Sequence, residues 1–412
     1  MRAAFVNDTA FAAVRAVPET ETPKRPSRET HALRSIELFS GAGGLALGTH
    51  AAGFQHEMLI EWKAEAAATL QFNVHHETVS GIRDWRIEHG DIRDYHFSDS
   101  GKLDLLAGGP PCQPFSIAGK HGGNEDERNM IPEFVRVLRE LAPRAFLMEN
   151  VRGLLRPGFR SYFNYSLLQL ARPEVRRREG EDWTAHLSRL EAGRADDSTD
   201  LEYAVRFQVV NAADFGVPQV RHRVFVVGFR SDLQRVFVFP APTHSAGALG
   251  QAQADGTYWR RHRLETDQRQ HQPGLGPELT RTGAPLEPWR TVRDAIGCMP
   301  QPDVAGDGTF HGHRYQAGAR TYVGHTGSPL DLPAKALKAG DHGVPGGENM
   351  LRAPDGSVRY FTVREAARLQ TFPDEWRFEG AWSEAMRQIG NAVPVRLAEV
   401  VASSIARQLQ DG

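Results

Sequence analysis

Ile36–Phe54 reads IELFSGAGGLALGTHAAGF, a short apolar run that enters three glycines and leaves into a helical pattern. The spacing predicts a strand over Ser35–Phe39 and a helix over Leu45–Ala52, with Gly41, Gly43 and Gly44 in the turn between them. Glycines at that place let the backbone approach a ligand closely, although purely structural turns look similar. Working outward, further strands are expected at Glu57–Ile60, Leu103–Ala107 and Ala145–Met148, and helices at Ala64–Phe72 and Pro132–Leu141. Strands that alternate with helices, with glycine at the strand ends, predict an α/β fold built on a doubly wound, Rossmann-like sheet.

Beyond Leu155 the pattern weakens. Residues 155–201 are charged and poorly periodic and are expected to form a surface insertion. Strands resume at Val205–Val210 and Arg223–Phe229. From about Pro240 to Arg359 the composition turns to Gly, Pro, His and Gln, which predicts a smaller, loop-rich second domain with short strands. Helices return at Thr362–Leu369 and Val395–Leu409. The expected organisation is a flexible leader over 1–33, a main domain over 34–239, a second domain over 240–359, and a segment over 360–412 that returns to the main domain.

Composition narrows the class. The 412 residues are 40% hydrophobic and 24% charged, a globular balance, and no run is read as long enough for a membrane helix. Asn7, Asp8 and Arg15 interrupt any signal-peptide core, and two cysteines, Cys112 and Cys298, exclude a disulfide framework, so a cytoplasmic, soluble protein is expected. The formal net charge of −2 does not announce nucleic acid. Arginines cluster at Arg176–Arg178, at Arg221 and Arg223, and at Arg260, Arg261 and Arg263. Phosphate recognition and the codon bias of a GC-rich genome explain these clusters equally well.

Four constellations carry chemistry. Glu61 follows the glycines by about 20 residues, where a carboxylate reaches ribose hydroxyls in this architecture. Trp62 beside it offers a face for adenine, and Asp91 an acceptor for its amino group. In AGGPPCQPFS, Ala107–Ser116, Cys112 stands just after a buried strand among prolines and glycines, a poor setting for a core residue and a good one for a thiolate nucleophile. The glycine-rich, charged IAGKHGGNEDERN that follows has the look of a loop that closes over substrate. In FLMENVRGLL, Glu149 ends an apolar strand at the same sheet edge, where partial desolvation favours a neutral, proton-donating carboxyl; Asn150 could instead cap a helix there. In DFGVPQVRHRVFVVGF, Gln219, Arg221 and Arg223 alternate, so both arginines face one side, although edge-strand solubility explains either one singly.

The ordered series FSGAGG, GPPCQPFS, MENV, QxRxR, RYFTVREAARLQTFPD and QIGNAVP resembles the conserved blocks of the DNA cytosine-5 methyltransferase family over about Ser35–Phe239 and Tyr360–Gln410. The resemblance implies S-adenosylmethionine as methyl donor, no metal, and a cytosine flipped out of double-stranded DNA. It assigns the nucleophile to Cys112, the contact to cytosine N3 to Glu149, and the grip on the flipped base to Arg223 with Arg221 supporting. It places the cofactor against Phe39, Gly41, Gly43, Gly44, Glu61, Trp62, Asp91, Ile92, Gly109, Pro111, Asn391 and Val393. Ser116, Lys120, Arg128, Gln219, Arg260, Arg261 and Arg263 are the expected DNA contacts, and 240–359 the expected target-recognition domain. It further implies a monomer in a restriction-modification setting, with a cognate endonuclease acting separately and no membrane partner. Two other readings are kept: a branch of the same family that methylates transfer RNA, and a catalytically dead binding relative. A long recognition region argues against the first, and intact Cys112, Glu149 and Arg223 against the second. His311, His313 and His325 lack metal-ligand spacing and are read as polar loop residues.

Overall fold

The computed structural model describes residues 32–98, 103–111, 129–192, 201–265, 285–302, 310–323, 325–339 and 349–411. These build a seven-stranded sheet from β1 (Leu33–Leu38), β2 (Phe54–Glu61), β3 (Ile87–His89), β4 (Leu105–Gly108), β5 (Ala145–Val151), β6 (Tyr203–Asn211) and β7 (His222–Arg230), in the order β3-β2-β1-β4-β5-β7-β6. The first five strands in that order are parallel; β7 runs antiparallel to β5, and β6 antiparallel to β7. The parallel strands are apolar almost throughout because both faces are covered.

One face carries α1 (Gly44–Ala51), α2 (Ala64–His75) and the C-terminal helix, and the other α3 (Ile131–Leu141), α4 (Arg160–Ala171) and α5 (Trp183–Ala192). Helix α4 corrects the sequence reading: the first half of 155–201 is core, burying Tyr162, Phe163, Tyr165, Leu167 and Leu168. Apolar residues lie on several faces of α4, so no amphipathic period betrays it. Helix α5 is docked on α4 through His186, whose ring meets the Tyr165 hydroxyl at 2.8 Å and the Val175 carbonyl at 2.9 Å.

The region after β7 is made of pieces: β8 (His244–Ser245), α6 (Ala246–Ala254), α7 (Thr257–Arg261), β9 (Glu287–Pro288), α8 (Val292–Ile296), β10 (Ser328–Pro329), β11 (Met350–Arg352) and β12 (Val358–Tyr360). Strands of two or three residues and short helices fit the loop-rich expectation. The chain then returns through α9 (Val363–Leu369), α10 (Trp382–Asn391) and α11 (Val395–Gln410). A reciprocal capping box between Thr362 and Glu365 starts α9. Taken together, Trp382–Gln410 is apolar enough to mimic a membrane span, contrary to the sequence reading, but it is two helices parted near Pro394 and most of it is buried against the sheet and α1. Gly48 permits that packing: a Cβ there would lie 2.3 Å from Ala398 Cβ.

His56 on β2 is fully enclosed. One ring nitrogen faces the Ala46 carbonyl at 3.0 Å and Thr49 Oγ1 at 2.8 Å, and the other faces Ser35 Oγ at 3.1 Å. Burial pushes its pKa down to about 4, so the folded protein holds it neutral. A depressed histidine lets the unfolded chain bind a proton that the folded one refuses, so stability is intact above about pH 6.5 and falls as pH drops towards 4. Urea titrations between pH 7 and pH 4.5 should show His56→Gln losing less stability on acidification than the wild type, by up to about 3 kcal/mol. Parallel pH curves for the two proteins would refute this.

Candidate functional site

In an open parallel sheet, ligands gather at the carboxyl ends of the strands. Here β1 ends in the turn at Gly41, β2 at Glu61, β3 just before Asp91, β4 before Gly109–Pro111, and β5 around Glu149. Because β7 runs antiparallel to β5, its start meets the end of β5, pairing Val151 with Arg223. The sheet therefore brings Glu149 and Arg223 to one edge, although they lie 74 positions apart in the chain.

The glycine turn is held by a carboxylate. Glu61 Oε2 accepts from the Gly41 amide at 2.7 Å and Oε1 from the Lys63 amide at 2.7 Å. Gly41 has φ +54° and a Cβ added to it would meet nothing within 4 Å, so its left-handed turn opens onto free space. Phe39, at φ +57°, is strained in the same turn. Trp62 is 68% exposed beside Glu61. Gly44 lies so close to the C-terminal segment that a Cβ would stand 2.3 Å from the Val393 carbonyl, which brings Asn391 and Val393 to the turn. Ile92 is buried, while Asp91 is engaged by Arg93 through both its backbone amide and its guanidinium. The side-chain hydrogen bonds from Arg93 hold the Asp91 carboxyl below the usual range.

Glu37, missed by the sequence reading, is fully buried at the end of β1, where among the described residues its carboxyl has no hydrogen-bonding side chain and only the Ala46 amide close to it. Burial raises its pKa well above the usual carboxylate range; the Ala46 amide opposes this and neighbouring Glu61 reinforces it. The available signal was an acidic residue inside the apolar strand IELF.

At the far end of the edge, Glu149 Oε1 lies 2.9 Å from Arg223 Nε. Burial raises the Glu149 pKa, and the charges of Arg223 and Arg221 oppose the rise. Gly109 faces the same carboxyl: a Cβ there would sit 3.3 Å from Glu149 Oε2. Asn150, read from the sequence as an alternative helix cap, instead donates to the Pro110 carbonyl at 3.1 Å and so fixes the Gly109–Pro111 turn to the end of β5. The Met130 amide donates to the Pro111 carbonyl at 3.1 Å, which ties the two flanks of 112–128 together. Cys112, Ser116, Lys120 and Arg128 lie outside the described residues.

Two expectations are corrected. Gln219, expected to contact DNA, is fully buried and bonded to Gln370, to the Leu369 carbonyl and to the Leu337 amide, so it presents nothing to a duplex. Arg221, expected at the reaction centre, is equally buried and donates to the carbonyls of Leu337 at 2.8 Å, Gly390 at 2.5 Å and Ala392 at 3.1 Å. It joins the sheet to the second domain and to the C-terminal segment. In the expected arginine cluster, Arg261 is paired with Asp294 at 2.7 Å and Arg260 donates to the Asp255 carbonyl at 3.4 Å. His313 is held between Thr362 Oγ1 and the Pro300 carbonyl.

The chain matches the profile of the C-5 cytosine-specific DNA methylase family over residues 33–172 and 195–407. It is 31% identical over 377 residues to the type II methyltransferase M.NgoMIV of Neisseria gonorrhoeae, covering 91% of this chain and 98% of the relative. It is also 31% identical over 407 residues to M.SacI of Streptomyces achromogenes, covering 92% and 94%. The fold is similar to that of the Dnmt2 methyltransferase of S. pombe, with a TM-score of 0.52 at 17% identity over 92% of this chain and 99% of that one.

The clamp at Arg221 is testable without activity. Arg221→Ala strands three buried carbonyls and should cost roughly 3–5 kcal/mol in denaturant unfolding. Arg221→Lys should recover only part of this, because one ammonium cannot reproduce the planar fork. An alanine variant as stable as the wild type would show that the joint is held elsewhere.

Proposed function

The chain belongs to the C-5 cytosine-specific DNA methylase family and is a DNA cytosine-5 methyltransferase that draws its methyl group from S-adenosylmethionine; from that premise we propose that it acts on a cytosine flipped out of a specific double-stranded sequence, through a covalent bond between Cys112 and ring carbon C6. The observation that carries this reading is the convergence of Glu149, Arg223 and the Asn150-braced Gly109–Pro111 turn at one strand edge, immediately before Cys112 in the chain.

The cofactor supplies an electrophilic methyl on a sulfonium. The residues present fit it. Gly41 leaves open space, Trp62 offers an aromatic face, and Asp91 stands at the end of β3. Glu61 accepts from the Gly41 and Lys63 amides with one lone pair of each oxygen, which shapes the turn and leaves acceptor capacity for ribose hydroxyls, and Glu37 is the buried carboxyl, close to the Ala46 amide alone among the described residues, that a cationic amino-acid end would satisfy.

Cytosine C5 is a weak nucleophile, so the ring must first be activated. The Cys112 thiolate adds to C6 while Glu149, whose pKa burial raises, donates a proton towards N3. Electron density then reaches C5, which takes the methyl. Loss of the C5 proton to a base, expulsion of the Cys112 thiolate and return of the N3 proton to Glu149 restore the aromatic ring. Arg223 holds the Glu149 carboxyl at 2.9 Å and is placed to grip the base beside it. None of this can proceed on a stacked base, so the cytosine leaves the helix. The relatives are named as type II methyltransferases, and we read this enzyme as guarding DNA alongside a separate restriction endonuclease.

Cys112→Ser should abolish methyl transfer while cofactor affinity stays within about twofold, and Cys298→Ser should leave turnover unchanged. DNA carrying 5-fluorocytosine at the target cannot lose its C5 substituent, so with S-adenosylmethionine the wild type should stay joined to DNA through denaturation. Substantial turnover by the serine variant, or no adduct from active enzyme, would remove the covalent route. In a titration without DNA, Glu37→Gln should weaken S-adenosylmethionine binding at least several-fold; unchanged affinity would leave the orphan carboxyl without this role.

A further inference from the structure

Outside the sheet edge, one surface of the second domain is unlike the rest. Residues 314–323 are exposed almost throughout, yet both flanks are firmly anchored. On the N-terminal side His313 is buried between Thr362 and Pro300, and Arg364 grips the His311 carbonyl at 3.1 Å. On the C-terminal side Ser328 accepts from the Lys335 amide, and Ala334 pairs with Gln219 and exchanges backbone bonds with Pro218 and Val220. Gln219 and Val220 stand four and three residues before Arg223 in the chain, so this flank borders the strand that carries the reactive edge.

The projecting stretch holds Tyr315 at 40%, Tyr322 at 54% and Val323 at 100% exposure. Apolar groups this exposed gain nothing from the fold of the free protein. They are nonetheless ordered: Tyr322 and His325 exchange backbone hydrogen bonds at 3.2 and 2.8 Å, and their rings lie 4.2 Å apart. Arg320 is exposed and makes no ion pair or hydrogen bond among the described residues. No Asp or Glu occurs between His311 and Leu330. In the Arg260–Arg263 cluster, by contrast, Arg261 is ion-paired with Asp294 and Arg260 donates to the Asp255 carbonyl, while Arg263 is exposed like Arg320.

We propose that the loop 314–323 is the element that reads the recognition sequence, entering a groove of double-stranded DNA with Arg320 as a donor to a guanine edge and the Tyr322–Val323 tip as its apolar contact. The chemistry is complementary: an acid-free, basic loop tolerates the phosphate-lined groove, a guanidinium matches guanine O6 and N7, and an aliphatic side chain matches a thymine methyl. This inference rests on the methylation reading above.

The test is bisulfite sequencing of a randomised DNA library methylated by wild type, Arg320→Ala and Val323→Asp, with thermal melts and S-adenosylmethionine titrations in parallel. Neither variant should change melting temperature or cofactor affinity, because neither side chain is packed. Arg320→Ala should relax one position of the methylated sequence, with discrimination there falling roughly 5- to 150-fold. Val323→Asp should lower kcat/KM on the preferred site more than roughly tenfold, since it sets a carboxylate against phosphates. An unchanged sequence profile for Arg320→Ala overturns the proposal. So does a uniform loss across all sequences with a flatter salt dependence, which marks a phosphate contact only, and so does an unchanged rate for Val323→Asp. A wild type that methylates no cytosine overturns the underlying reading instead.

Discussion

A buried guanidinium must be surrounded by acceptors, and Arg221 draws its acceptors from three places that would otherwise drift apart. Leu337 lies in the region between β10 and β11, Gly390 near the end of α10, and Ala392 in the turn that reaches back to Gly44. Desolvation pushes the Arg221 pKa well down, and only its carbonyl partners and the nearby Glu149 make the charge tolerable. Gln219 repeats the device with amide chemistry, joining Leu337 to Gln370, which in turn holds the Ile389 carbonyl. Since Arg221 immediately precedes β7 and Arg223 stands at its start, whatever fixes Arg221 also fixes the side chain that meets Glu149.

That second pair is loaded differently. Arg223 and Glu149 are both nearly enclosed, burial opposes charge on each, and their mutual attraction opposes burial. A buried ion pair contributes little net stability by itself. Its effect here falls on the carboxyl: burial favours the neutral form of Glu149 against the pull of Arg223, and the close approach of the Gly109 backbone, where a Cβ would stand 3.3 Å from Oε2, packs the turn against it. The same logic holds across the sheet at Glu37, whose burial with only the Ala46 amide close to it among the described residues destabilises the free protein and is offset once a further donor arrives. The edge thus concentrates unfavourable polar burial where ligands are expected.

The parallel core was legible because burial on both faces leaves unbroken apolar runs, as in β4 and β5, and because glycine and acidic residues mark the strand ends. Helix ends and strand starts moved by one to three residues, as caps and edge pairing decide them: β2 begins at Phe54 where the apolar run suggested Glu57. Helix α4 was illegible because it is apolar on several sides, and α10 because its tightly packed Gly390, 2.5 Å from the Ala339 amide if given a Cβ, looks like a breaker in sequence. At the edge, Glu61, Glu149 and Arg223 could be placed by pattern. The buried roles of Gln219, Arg221 and Arg364 could not, since an arginine serving carbonyls and one serving a substrate are the same letter. Arg364, set within the apolar start of α9, donates to the carbonyls of His311, Pro373 and Trp376.

The second domain was legible only as a change of composition, and its construction explains why. Its own apolar cluster is small, Leu249, Tyr258 and Trp259 with a few half-buried neighbours. Much of its order comes from polar ties: the Tyr258 hydroxyl bonds Thr291 and Asp331, and Arg293 grips the same Asp331 at 2.6 and 3.0 Å. Such ties leave no period for a pattern to reveal. They also leave the intervening loops unconstrained by core packing, so side chains there can change with little effect on the fold. The joint to the main domain combines apolar packing of Val292, Ile296, Ala334, Leu337 and Leu351 against Leu47, Leu59 and Leu70 with the bonds of Arg221 and Gln219 to backbone groups of Leu337. The apolar half of that joint fixes a few side chains of the region, and the backbone half is indifferent to the rest. Exposed side chains between those anchors can therefore change while the sheet edge stays fixed.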